Sequence, residues 1–328
     1  MDDAARDPIE RAVAALRRGE LVGMPTETVY GLAADAANPE AVRRIFALKG
    51  RPANHPLIVH VADAAALAPW TRDRDPRAEA LAAAFWPGPL TMLLPRAPHV
   101  PDEVTGGQDT VGLRCPDHPI ALALLRSFGG GVAAPSANRF GRVSPTTAAH
   151  VREEFPEGVA IVLDGGDCEV GIESTIVDLC GATPRILRPG RIGAAQLADV
   201  IGPVETGPTA ASPRASGTLE AHYAPSTSLL MMPRRALVEE ATRQQALGKR
   251  VRLLAVESLP PPWKGQALPA RPADYAHGLY AALRALDAED VNLLLVETPP
   301  GDAGWEAIHD RLRRSAAGAA PAETEDGT

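Results

Sequence analysis

Residues 56–61, 90–94, 110–114, 131–134, 159–163, 175–179 and 185–187 are short apolar runs bounded by glycine and proline, and they recur between segments that carry helix caps. That interleaving admits few folds, because runs of about four to eight apolar residues between turn formers are strands more often than helices. Residues 21–24 read as a further strand ahead of them. Asp7-Pro8-Ile9-Glu10 supplies an N-cap, a proline at the first helical position and a capping-box glutamate, with Gly19 past the end. Asn38-Pro39 opens a second helix predicted to reach Leu48 and to close at Gly50, and others start after His118-Pro119 and near Thr146. Strands and helices mix without strict strand–helix–strand order, so the expected fold is α/β with a twisted, mixed sheet.

The pattern changes near Gly202. Residues 202–226 are rich in proline, threonine, alanine, serine and glycine with little apolar periodicity, which reads as a linker. Beyond it, 229–232, 251–256 and 291–296 read as buried strands separated by helices near 235–246 and 273–286, a small Rossmann-like α/β domain. The expected division is therefore a catalytic α/β domain over 1–201, a linker over 202–226, a second domain over 227–316 and a disordered tail over 317–328. A length of 328 residues agrees with two domains.

A formal net charge of −8 opposes strong nonspecific binding to nucleic acid, which needs many lysine or arginine contacts to phosphate. It leaves room for a local basic pocket. No run reaches the ~20 apolar residues of a membrane span, and Met1-Asp2-Asp3 is acidic where a secretory leader starts basic, so a cytoplasmic location is expected. Cys115, Cys168 and Cys180 form no CxxC pair, and neither a disulfide framework nor a metal site is expected of them.

Neither GxxxxGK[ST] nor a GxGxxG after a strand is present, so a nucleotide site here must be built differently. Polar residues instead gather where predicted strands and helices end, the usual place for ligand sites in α/β folds. They lie in PTETVYGL from Pro25, KGRP from Lys49, PLIVH from Pro56, TVGLRCPDHP from Thr110, APSAN from Ala134, SPT from Ser144, GIESTIVD from Gly171 and LRPG from Leu187. In this order and spacing, and with WPGPLT at Trp86, the segments resemble the YrdC/Sua5 family of threonylcarbamoyl-AMP synthases. His222-Tyr223-Ala224-Pro225 and a second domain are similar to the longer Sua5-type members rather than to the single-domain YrdC type.

The resemblance implies a YrdC-like sheet domain and a reaction in which threonine captures bicarbonate and the resulting N-carboxylate displaces pyrophosphate from ATP. Such chemistry rests on positioning and charge neutralisation. It implies catalytic roles for Lys49 and Arg51 on the ATP phosphates, with Mg2+ brought by the nucleotide and no dedicated metal site. Thr26, His60, Arg114, Ala134 and Ser174 fall on the threonine side, Arg114 offering a planar fork for the carboxylate. Thr110, Ser136, Asn138, Ser144, Arg188 and Tyr223 fall on the ATP side. The product is expected to pass to a separate transferase complex for N6-threonylcarbamoylation of adenosine 37 in ANN-decoding tRNAs, with no membrane involved.

Each residue also has a structural reading. Isolated lysines and arginines are mostly solvated; Thr26, Ser136 and Ser144 are natural caps; His60 suits a core histidine. Glu27 and Glu173 have the chemistry of general bases, but the resemblance points to positioning, and they stay outside the catalytic set. WPGPLT reads as a turn with Trp86 in the core. The run 215–219, Ala-Ser-Gly-Thr-Leu, departs from the Ser-Pro-Gly-Met stretch of many relatives, which puts closure over the site in doubt. A carbamoyltransferase of the hydrogenase-maturation type is opposed by the missing zinc-finger cysteine pairs, and a noncatalytic RNA-binding module by the charge.

Overall fold

Cap signals set the helix starts. Asp7 accepts from the Ile9 N–H and Asn38 from those of Glu40 and Ala41, each followed by a proline that needs no partner at the first helical position. Gly50 ends its helix in the left-handed region at φ 64°, which glycine adopts without strain. The structure, a computed structural model, describes residues 7–319, and these fall into two units, 7–140 with 144–218, and 141–143 with 219–319.

The first unit runs α1 (Pro8–Arg17), β1 (Val22–Met24), β2 (Gly31–Asp35), α2 (Pro39–Lys49), β3 (Ile58–His60), α3 (Pro76–Phe85), β4 (Leu90–Pro95), α4 (Asp102–Thr105), β5 (Thr110–Arg114), α5 (Pro119–Phe128), β6 (Val132–Ala133), α6 (Ala148–Glu154), β7 (Ile161–Val162), β8 (Thr175–Asp178), β9 (Arg185–Arg188), α7 (Ala194–Ile201) and β10 (Glu205–Thr206). One ten-stranded mixed sheet takes the order β10-β9-β8-β4-β5-β3-β6-β2-β1-β7. β3 and β5 pair in parallel, as do β4 and β8, whereas β4 and β5 are antiparallel.

α2 buries Ala41, Val42, Ile45, Phe46 and Lys49, a stripe at helical spacing. Each of its large apolar members contributes about 1.5–3 kcal/mol of burial. A lysine takes the next place on that stripe.

The second unit runs β11 (Ser228–Met232), α8 (Arg234–Ala246), β12 (Val251–Val256), β13 (Gly265–Leu268), α9 (Pro272–Asp287), β14 (Leu293–Glu297) and α10 (Glu306–Ala319). Its four strands are all parallel in the order β11-β14-β12-β13. Leu237 and Ala241 of α8 pack on Val251, Leu253, Leu293 and Leu295.

Two expectations change. The linker is not one element: 202–218 belongs to the first unit, with β10 extending the sheet beside β9, while 219–226 belongs to the second, where Asp287 accepts from the Ser226 and Thr227 N–H groups. Of the tail expected over 317–328, residues 317–319 complete α10, and 320–328 lie outside the described residues.

Candidate active site

Alternation along the strands sorts the sheet into two faces. Val59, Leu90, Met92, Leu94, Val111, Leu113 and Val177 join Val42, Ile45 and Phe46 of α2 in one core. Period two then places Ile58, His60, Thr91, Leu93, Thr110, Gly112, Arg114 and Ile176 on the opposite face. The parallel register of β3 and β5 sets His60 directly beside Arg114. Thr110 sits at the other end of β5, roughly 13 Å away at ~3.3 Å per residue.

Arg114 is buried, and its Nη1 donates to Thr28 Oγ1 at 2.8 Å. Thr26 Oγ1 donates to the Val29 carbonyl at 2.6 Å and accepts from the Thr28 and Val29 N–H groups, so it fixes the turn that presents Thr28. Arg114 Nη2 lies 2.6 Å from Glu27 Oε1, yet the pair is out of line for a hydrogen bond. Both side chains are 5% exposed.

Burial, with Arg114 adding to it, pulls the His60 imidazole down to about 3, so it is neutral near pH 7. Because the folded value lies below the ordinary 6.5, the native state binds fewer protons than the unfolded chain between these limits. Stability from this group is complete above pH 6.5 and is lost as pH falls toward 3. His60→Gln should flatten the fall of the urea midpoint over that window relative to the parent. Equal slopes in the two proteins would remove His60 as its source.

Three loops are tied together by hydrogen bonds around Tyr30. Its N–H donates to the Pro145 carbonyl, its carbonyl accepts from Ala137, and its hydroxyl donates to the Gly166 carbonyl at 2.8 Å. Glu27 is fixed from the fourth side, its carbonyl accepting from Val170. Lys49 reaches under this assembly and donates to the carbonyls of Ser136, at 2.6 Å, and Asn138. Burial pushes the Lys49 ammonium well below the usual lysine range, and Arg51 adds to the effect. Ser144 donates to Glu173 Oε1 at 2.6 Å, both buried.

Arg188 and Arg51 meet at the segment read as linker. Arg188 donates from Nε and Nη2 to the carbonyl and Oγ of Ser174, both at 3.0 Å, and from Nη1 to the Ser216 carbonyl at 2.9 Å. Arg51 donates to the Pro56 carbonyl at 3.0 Å and reaches Ser216 Oγ at 3.4 Å. Ala215 packs on Leu93, Ile176 and Leu187, and Gln108 holds Arg214 by two hydrogen bonds. Residues 214–216 thus cover part of the polar face although their composition departs from the expected stretch.

The first unit holds Thr26, Lys49, Arg51, His60, Thr110, Arg114, Ala134, Ser136, Asn138, Ser144, Ser174 and Arg188, with Ala134 held by its N–H to the Ile58 carbonyl. Tyr223 is in the second unit, its ring buried against Tyr280 at 5.8 Å between centroids, under the Arg311 guanidinium, and its carbonyl accepting from Ser315. Sequence reasoning missed Thr28, Thr91 and Ser216. Thr91 lies inside WPGPLT, read as structural, but its hydroxyl is 2.8 Å from that of Ser174; the threonine on the polar face of β4 was the signal. Among the described residues no group of three His, Cys, Asp or Glu side chains is placed to hold a metal ion, and no helix is long and apolar enough to cross a membrane.

Residues 14–190 match the Sua5, YciO and YrdC family, described under telomere recombination, and residues 192–317 match the C-terminal domain of threonylcarbamoyl-AMP synthase. The threonylcarbamoyl-AMP synthase of Bacillus subtilis is 39% identical over 331 residues, covering 96% of this chain and 95% of that protein. The chain belongs to the threonylcarbamoyl-AMP synthase family. A second synthase of the family, from Pyrococcus abyssi, is 38% identical over 94% of this chain and 93% of its own length. The crystal structure of Pyrococcus abyssi Sua5 complexed with L-threonine superposes with a TM-score of 0.89 at 37% identity, covering 95% of this chain and 94% of that one. Both the sheet domain and the all-parallel domain therefore belong to the synthase architecture.

Proposed function

We propose that the chain converts L-threonine, bicarbonate and ATP into threonylcarbamoyl-AMP and pyrophosphate. The observation that carries this reading is the polar face of β3 and β5. A buried arginine sits beside a neutral histidine at one end, and Arg51 lies by Pro56 toward the other. Family membership and a relative solved with L-threonine support the amino acid as substrate, and the buried Arg114 edge is the place this reading gives its carboxylate.

On this reading the planar edge of Arg114 receives the threonine carboxylate, and Thr26, His60, Ala134 and Ser174 line the space around it. His60, being neutral, adds a hydrogen-bonding nitrogen without a second positive charge beside Arg114. Arg51 and Arg188 face the triphosphate and offset charge as pyrophosphate leaves. Lys49 holds the Ser136 and Asn138 carbonyls, so that loop presents Ser136 and Asn138 to the nucleotide in a fixed geometry. Ser144 and Thr110 complete the ATP side. Mg2+ arrives with the phosphates of ATP. Residues 214–216 exclude water from a mixed anhydride that water would hydrolyse. The product then serves N6-threonylcarbamoylation of adenosine 37 in tRNA through a separate transferase.

Isotope exchange between pyrophosphate and ATP tests the reading. Exchange should require both threonine and bicarbonate. Exchange that proceeds at full rate without either would show an adenylation chemistry of another kind.

A further inference from the structure

Glu27 is a buried carboxylate with both oxygens lacking a hydrogen-bond partner among the described residues. Its neighbour Arg114 is committed only at Nη1, to Thr28; Nε and Nη2, which form one planar edge of the guanidinium, carry no hydrogen bond. Buried polar groups left in this state are rare and call for a partner. The missing partner must accept from the Arg114 edge and donate to Glu27, with its two groups close together, since Nη2 and Oε1 are 2.6 Å apart. An α-amino acid zwitterion has that form, its carboxylate and ammonium being attached to one carbon. It also adds no net charge to a buried pair whose own charges cancel.

We propose that Glu27 is a further substrate-contacting catalytic residue, which receives the α-ammonium of the amino acid held on Arg114 and takes one proton from it. The inference rests on the threonine reading above and assigns the base that reading lacked. In the step, a Glu27 oxygen removes one ammonium proton, and the freed nitrogen lone pair forms the N–C bond to the carbon of bicarbonate. The C–O bond to the bicarbonate hydroxyl breaks, and the hydroxide leaves with a second ammonium proton as water. The third proton stays on the carbamate nitrogen, whose carboxylate is then ready to attack ATP.

A merely positioning Glu27, acting only to orient Arg114, predicts different numbers. Calorimetric binding of L-threonine and of (R)-3-hydroxybutyrate, which is threonine without its amine, should differ at least about tenfold in the parent, the scale of a charged hydrogen bond. In Glu27→Gln the preference for threonine should shrink to within about twofold. Its single-turnover rate should also gain a dependence on solution pH, rising about tenfold per unit as the free ammonium loses its proton unaided. Glu27→Asp, which keeps the charge, should hold an intermediate preference and stands in if the glutamine variant does not fold. Equal affinity of the parent for both ligands overturns the proposal, as does an equal loss for both ligands in the variants. Pyrophosphate exchange in the parent separates the two levels. Threonine-dependent exchange with an unchanged ligand preference in the variants removes Glu27 alone, whereas no such exchange removes the function on which it rests.

Discussion

Arg114→Lys should weaken threonine binding by about ten- to a hundredfold while leaving ATP affinity within about twofold. Lysine keeps the positive charge beside Glu27, so the buried pair is not broken and the protein stays folded. What it loses is the planar edge of Nε and Nη2, the part of the side chain that carries no hydrogen bond in the structure. A charged hydrogen bond is worth about 1.5–3 kcal/mol, and each ~1.4 kcal/mol is a factor of ten. Arg114→Ala is the poorer test, because a lone buried carboxylate costs about 3–5 kcal/mol and confuses affinity with stability. Titration calorimetry with each substrate reads the split. Equal losses for threonine and ATP would reassign Arg114 to a general structural role.

Lys49→Ala should lower the single-turnover rate of adenylate formation at least about tenfold, and toward a hundredfold if both carbonyls it holds lose their donor. Its ammonium is the group that ties the Ser136 and Asn138 carbonyls together, in the loop proposed to face the nucleotide. Lys49→Met separates chemistry from packing, since methionine retains an apolar stem on the buried stripe of α2. It should keep the melting temperature closer to the parent than alanine does and be as slow as alanine in the reaction. A methionine variant with near-parental rate would remove Lys49 from the site.

The places of several candidate residues in the fold were legible because they sit on regular elements. β5 has the same ends in the structure as the apolar run over 110–114, and its alternation alone places Thr110, Gly112 and Arg114 on one face. α2 begins and ends where Asn38-Pro39 and Gly50 say. Alanine-rich stretches were not legible: β2, Gly-Leu-Ala-Ala-Asp, and α3, with its run of alanines, lack the contrast on which periodicity depends. In α3 the signal was Asp75-Pro76, the same cap that opens α1.

The linker failed for another reason. Residues 202–218 owe their place to hydrogen bonds with residues far along the chain, such as Gln108 with Arg214 and Arg188 with Ser216, and composition carries no record of such pairs. The same holds for Tyr223, whose stacking on Tyr280 and Arg311 brings together positions that no local pattern links.

Incubating the purified chain with ATP, Mg2+, L-threonine and isotopically labelled bicarbonate, followed by mass detection, tests the central claim most directly. The account predicts an AMP adduct that contains one threonine and the bicarbonate label, formed with an equal amount of pyrophosphate and absent when either small substrate is omitted. ATP turnover without such an adduct, or an adduct that lacks the label, would contradict it.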